Sequence, residues 1–320
     1  AGAAVRRSGR LAVPDFQLAE VAVVGAVGAW LGPWATRGHG PAEVEGPVAA
    51  AWSGDDVVVF DVAGAMAEVV AAEGTVATVP VVPSFTAPVV TSGLVVWAGV
   101  QPDGAALLTV DRPADRPGLR QRSVLRLAAG AQVPDTLARG SVHVLAGDRL
   151  RSFVVPGWPR PVAAVGPDGR LAVAATDGSY AVVVLDSGGS PLFQLCRPAP
   201  PLPLAPAERG VGLDFRPLPE ALAGAPTPDT LASIGRIVLG AGGRIWIQRD
   251  RPAPQGMEEL YGTPGAQHDV FDAAGRYLGT VRLPAGARLE AALGDTAWTF
   301  VRGDLDETWV VAYQLVKGDE

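Results

Sequence analysis

Asp168-Gly169-Arg170-Leu171-Ala172-Val173 opens a stretch that closes at Leu185-Asp186-Ser187-Gly188-Gly189, 20 residues after its first glycine. The opening is a Gly/Asp turn followed by an apolar strand; the close is an apolar strand running into a second turn that ends in glycine. Gly and Asp tolerate the positive φ that tight hairpin turns need. The same pair of turns recurs upstream. Ser8-Gly9-Arg10-Leu11-Ala12-Val13 leads to Val24-Gly25-Ala26-Val27-Gly28, and Gly54-Asp55-Asp56-Val57-Val58-Val59 leads to Val70-Ala71-Ala72-Glu73-Gly74, at spacings of 19 and 20 residues. Downstream, Gly242-Gly243-Arg244-Ile245-Trp246-Ile247 leads to Phe271-Asp272-Ala273-Ala274-Gly275, 32 residues on from Gly243. The excess fits a Pro- and Gly-rich insertion at 250–267, and insertions belong in loops.

Each unit reads as four short antiparallel strands in about 40–50 residues, the signature of a propeller blade. A sheet this small cannot bury its own faces, so the units must stack on one another around an axis. Two weaker units extend the series. Leu94–Trp97 and Ser123–Leu127 flank the polar loop at 111–121, and Arg288–Leu293, Ala297–Arg302 and Trp309–Leu315 supply three strands at the C-terminus. The expected fold is all-β: a six-bladed β-propeller of four-stranded antiparallel blades, with Ala1–Arg6 as the candidate strand closing the last one. It forms one domain over 1–320, with blades near 1–45, 46–84, 85–140, 141–203, 232–285 and 286–317 and an excursion between blades at 204–231.

Composition agrees with a well-buried all-β chain. Hydrophobic residues make up 48% and charged ones 18% of 320 residues, which excludes a disordered chain. Forty glycines and 29 prolines without a collagen-like period suit many short strands and tight turns. The formal charge of −7 argues against nucleic acid as a partner, because such binding draws on clustered Lys and Arg. Cys196 is the only cysteine and forms no internal disulfide. The apolar stretch Val21–Leu31 has 11 residues, against the roughly 18 that span a bilayer, so no transmembrane segment is expected. The sequence does not begin with methionine; a leader removed upstream makes an extracytoplasmic location, periplasmic or secreted, the expectation, and a monomer the expected state.

The chain resembles bacterial six-bladed β-propeller proteins of the NHL-like or TolB-like kind, most of them without an assigned function. Ile234-Gly235-Arg236, Gly243-Arg244-Ile245-Trp246-Ile247-Gln248-Arg249 and the stretch from Asp269 to Val281 carry the resemblance most specifically. Arg37-Gly38-His39-Gly40-Pro41-Ala42-Glu43 is similar to the blade-joining Arg-x-Gly-x-Gly-Pro segment of such proteins, without its usual phenylalanine. The resemblance also implies a helical excursion before the fifth blade. Leu204–Ser233 occupies that place, with room for a turn or two of helix at Pro219–Ala223.

Signatures of catalysis are sparse. No Gly-x-Ser-x-Gly elbow occurs, and His39, His143 and His268 stand far apart without a His-Glu-x-x-His motif or paired cysteines. Propeller lactonases, by resemblance, hold calcium in the central tunnel with Asn, Asp and Glu oxygens, and this chain has no asparagine. Asp55-Asp56, Glu258-Glu259 and Asp306-Glu307 read as solvated turns. No catalytic residue, metal ligand or cofactor is therefore assigned. What remains is the geometry of the fold, in which loops converge around a central depression. On that ground the pore-face residues expected to meet a ligand are Arg37, His39, Trp158, Arg160, Arg236 and Arg249. The expected function is a non-enzymatic binding or scaffold module for a peptide, glycan or protein. The alternative is a metal-dependent, lactonase-like hydrolase or lyase with its site in the tunnel.

Overall fold

The computed structural model describes residues 3–26, 28–40, 42–61, 66–70, 76–79, 94–114, 119–131, 133–145, 153–154, 160–175, 177–200, 202–203, 229–231, 233–249, 267–284, 286–302 and 307–316. All regular structure among them is β. The first sheet orders β1 (Ala4–Val5), β2 (Leu11–Asp15), β3 (Glu20–Val24), β4 (Trp30–Arg37) and β5 (Glu43–Val44). The second orders β6 (Pro47–Ser53), β7 (Asp56–Asp61), β8 (Met66–Val70) and β9 (Val76–Val79). The third holds β10 (Leu94–Val100), β11 (Ala106–Pro113), β12 (Leu119–Leu127), β13 (Asp135–Leu145) and β14 (Phe153–Val154). The fourth is made of β15 (Ala163–Val165), β16 (Leu171–Ala174), β17 (Ala181–Leu185) and β18 (Pro191–Cys196). A two-stranded ribbon, β19 (Leu202–Pro203) with β20 (Thr230–Leu231), precedes the fifth sheet of β21 (Arg236–Leu239), β22 (Ile245–Gln248), β23 (Gln267–Phe271) and β24 (Tyr277–Arg282). The C-terminal sheet has β25 (Ala287–Leu293), β26 (Thr296–Arg302) and β27 (Thr308–Gln314). Among the described residues strands pair antiparallel except β4 with β5, and an isolated parallel bridge joins Ala241 to Leu293.

The repeat has a steric cause. Gly169, at φ 82°, turns between β15 and β16, and a Cβ there would stand 3.3 Å from that of Ser187 in the turn between β17 and β18. Gly243, at φ 91°, is tighter still, with Ala273 of the second turn 2.7 Å from where its Cβ would be. The two hairpin tips of one sheet rest against each other. Strand lengths between them are thereby fixed, and the spacing in the sequence follows.

The core lies between sheets and not within them. One cluster joins Ala50, Trp52, Val57 and Val59 to Ala12, Val21 and Val23, and the next joins Val58 and Phe60 to Leu108 and Leu125. Leu107 and Val124 pack on Leu171 and Leu185, and Val182 and Val184 on Ile245, Ile247 and Phe271. Trp246 and Val270 meet Leu289 and Ala297, and Ala291 and Trp298 meet Val5 and Leu11. Each apolar face is thus covered by the next sheet, and the last pair closes the ring. The first strand of each sheet touches the first strand of its neighbours, so these strands surround the axis.

The expectation of a six-bladed propeller of four-stranded blades is corrected. Among the described residues five sheets reach four or five strands and form complete blades; the C-terminal sheet stops at three. Nor does the N-terminal segment close that sheet. Ala4 and Val5 pair with Ala12 and Leu11 in the first blade, because their buried side chains fill the axial end of it. The protein is an all-β propeller of five complete blades with a three-stranded sheet wedged between the fifth and the first. The expected helical turn at 219–223 lies outside the described residues.

Candidate functional site

Of the six residues expected at the pore face five are described, and they are spread over the first, fourth and fifth blades. Arg37 ends β4 and donates from Nη2 to the Gln17 carbonyl at 2.9 Å. His39 follows in the connection to the second blade, exposed, with Nε2 3.1 Å from Glu45 Oε1. That connection is tied down by its own bonds: Glu43 Oε2 accepts from the Gly40 amide at 2.6 Å, and the Asp61 carboxylate accepts from the Glu45 and Gly46 amides at 2.7 and 3.0 Å. Trp158 lies outside the described residues, and Arg160 is half-buried just before β15. Arg236 and Arg249 do come together at one end of the fifth blade, since Arg249 follows Gln248, the cross-strand partner of Arg236.

Arg236 leads to a residue that pattern reading passed over. Its Nη2 stands 2.9 Å from Glu290 Oε1, and Arg288 Nε approaches the same oxygen at 2.7 Å. Glu290 owes its position to a bulge in β25. Leu289 pairs with Thr299 and Ala291 with Trp298, leaving Glu290 without a cross-strand partner. Bulges re-aim side chains, and here Leu289 packs toward the fifth blade while Ala291 packs toward the first. Bulges also interrupt the first strands β6 and β10, at Val48 and Val96, but only in β25 is the extra residue charged.

The Glu290 side chain is 1% exposed, whereas those of Arg236 and Arg288 are 30% and 35% exposed. Neither contact is aligned as a hydrogen bond, and Oε2 has no hydrogen-bond partner at all. Two arginine side chains that reach solvent therefore share one buried carboxylate oxygen. Arg288 also lies 5.7 Å above the Phe300 ring, which limits its freedom.

A second polar cluster joins the fourth and fifth blades. Asp269 on β23 accepts from the Tyr180 hydroxyl at 2.7 Å, from Thr280 Oγ1 at 2.8 Å, and from Arg197 Nη1 at 2.7 Å. Burial raises the pKa of Asp269, but the hydrogen bonds from Tyr180, Thr280 and Arg197 outweigh it and hold the carboxyl below its usual value. Burial, reinforced by the bond to Asp269, drives the Tyr180 phenol well above its ordinary value. The Arg197 guanidinium stacks on Tyr277 at 4.0 Å, and Arg249 donates to the Pro200 carbonyl beside it.

A lactonase-like metal site would need several carboxylates or histidines at one level. Among the described residues no group of three or more His, Cys, Asp or Glu side chains is placed to hold a metal ion. His268 is buried on β23, edge-on to Trp246, and His39 belongs to the far connection. No helix among the described residues is long and apolar enough to cross a membrane.

No family model matches the chain, and no curated protein does. The similarity is to solved structures. A member of the DUF4221 family from Bacteroides vulgatus is 8% identical over 96% of this chain and 90% of its own, with a TM-score of 0.52. A streptogramin B lyase is 10% identical over 99% and 83%, at a TM-score of 0.39, and a luciferin-regenerating enzyme is 10% identical over 97% and 89%, at 0.42. At these identities the likeness is one of fold: the class is the β-propeller. The resemblance to an NHL-like family does not extend to a family match, and its six blades are replaced by five complete ones.

Proposed function

We propose that the protein is a propeller-based binding module for an anionic, carboxylate-bearing ligand, an acidic glycan or peptide, taken up where Arg236 and Arg288 stand over Glu290. The observation that carries this reading is the sharing of one buried carboxylate by two partly exposed guanidiniums on strands that surround the axis. Glu290 faces both arginines at ion-pair distance. A guanidinium suits the paired oxygens of a carboxylate, and charge-assisted contacts of this kind are about twice as strong as neutral ones. Arg249 follows Gln248, the cross-strand partner of Arg236, at that end of the fifth blade.

The test is a thermal-shift screen with oligogalacturonate, poly-glutamate and a neutral maltooligosaccharide, repeated at high salt. A ligand that binds the native state raises Tm by mass action, by the equivalent of about 2.7 kcal/mol at a hundred times Kd. Stabilisation by the acidic probes alone, weakened by salt, supports the reading; equal response to the neutral sugar removes it.

A second reading, a hydrolase or lyase at the same place, is favoured by one observation. Glu290 Oε2 is a buried carboxylate oxygen with no hydrogen-bond partner, and a carboxylate is a common general acid or base. No step through a metal is derived for it. Turnover of lactone or ester substrates that is lost in Glu290→Gln while binding persists would decide for this second reading.

A further inference from the structure

Strand β27 is third in its sheet, as β3, β17 and β23 are in theirs. In those blades the third strand is mostly covered: Val21 and Val23, Ala181, Val182, Val184 and Leu185, and His268 to Phe271 are buried. Not one residue of β27 is buried, and Trp309 is 59% exposed. It has the burial of an outermost strand because, among the described residues, nothing pairs with its outer edge.

That edge also lacks the usual protection. Exposed edges are normally blunted by charge, proline, glycine or shortness. In the first blade β4 carries Gly32, Pro33 and Arg37 and is followed outside by the two-residue β5; β18 carries Pro191; β24 carries Gly279 and Arg282. In the second blade the outer strand has four residues, and in the third blade two. Thr308-Trp309-Val310-Val311-Ala312-Tyr313-Gln314 has seven residues, of high β propensity, with no charge, proline or glycine. Selection against edge pairing has left its mark on the other blades and not here.

We infer that β27 is an acceptor edge for one extended, apolar strand supplied by another polypeptide, which completes the C-terminal sheet as a fourth strand. The shape of the gap selects this occupant. On either side the flanking blades continue to a fourth strand, β24 and β4, so the recess over β27 is one strand deep, about 4.8 Å. A single extended segment fills it. A second copy of this propeller pairing through its own β27 would have to carry its flanking fourth strands past these two. The faces of β27 set the pattern of the incoming strand. Tyr313 packs toward the fifth blade and Val310 toward the first, so apolar residues are required at alternate positions on both sides, with backbone hydrogen bonds giving affinity.

The experiment follows amide hydrogen exchange at 308–314 in the full chain with an excess of a synthetic peptide copying 276–282, the fourth strand of the fifth blade. The same peptide, joined after Glu320 by a flexible Gly/Ser linker, raises its effective concentration to about the mM range, so weak binding is still seen. The expected result is exchange at least about tenfold slower in β27 and a Tm higher by a few degrees. Both are abolished by Trp309→Lys with Ala312→Lys, two exposed positions whose charges block the edge while the fold is retained. Unchanged exchange in both formats overturns the inference. So does slow exchange without any peptide: with a dimer by light scattering a second copy covers the edge, and with a monomer the chain covers its own.

Discussion

Asp269 and Glu290 are both buried carboxylates facing arginine, one at the joint between the fourth and fifth blades, the other between the fifth blade and the C-terminal sheet. Asp269 has both oxygens engaged, by Tyr180, Thr280 and Arg197. Glu290 has two arginine contacts crowded on one oxygen, neither aligned, and a second oxygen without a hydrogen-bond partner. A satisfied buried network rigidifies; a half-satisfied one costs stability and persists where something else is gained. The first carboxylate is a fastener. The second, on the function proposed above, holds cations ready for a ligand.

The largest effect that separates them is on stability. Asp269→Ala leaves the buried Tyr180 hydroxyl without its acceptor and strips Thr280 and Arg197 of theirs, with an expected cost of about 2–3 kcal/mol in urea unfolding. Glu290→Gln is expected to cost under about 1 kcal/mol, since it breaks no aligned hydrogen bond. Equal losses would erase the distinction.

The pH dependence of stability sharpens it. The folded-state pKa of Asp269 is lowered, so its contribution is present above the ordinary value near 3.9 and is lost as pH falls through the folded value. Tyr180 is shifted the other way. Its contribution is full below about pH 10 and is lost as pH rises toward the folded value. Asp269→Asn should flatten the acid limb of a stability–pH curve and Tyr180→Phe the alkaline limb.

The smallest effect belongs to Arg197→Lys. It keeps the charge near Asp269 but loses the planar stack on Tyr277, at an expected cost of about 0.5–1 kcal/mol by thermal unfolding. A cost as large as that of Asp269→Ala would mean that the stack, and not the carboxylate, holds the joint.

The fold was legible where the chain repeats itself. Gly9 and Gly169 stand 19 and 20 residues before Gly28 and Gly189 because the tips of each sheet touch, and that contact is written into the spacing. The number of complete blades was not legible. Thr308–Gln314 looks like any third strand, and nothing in Ala4-Val5 shows that it pairs with Leu11 and Ala12 and leaves β27 uncovered. Arg236 was legible as a residue at the start of a blade. Glu290 was hidden because Ala-Arg-Leu-Glu-Ala-Ala-Leu reads as plain alternation, and only the slip in register between Leu289 and Ala291 sets the glutamate apart. Arg37 and His39 stand where the first blade passes to the second, Arg37 bonded to Gln17 in the turn between β2 and β3 and His39 beside Glu45.

The central claim is tested most directly by calorimetric titration of oligogalacturonate into the native protein, Glu290→Gln and Arg236→Gln. Removing the competing carboxylate is expected to tighten binding about three- to tenfold, and removing the guanidinium to weaken it about tenfold or more, 1.4 kcal/mol being a factor of ten. Weaker binding by Glu290→Gln, or affinities that neither substitution changes, would contradict the assignment of this end of the propeller as the site.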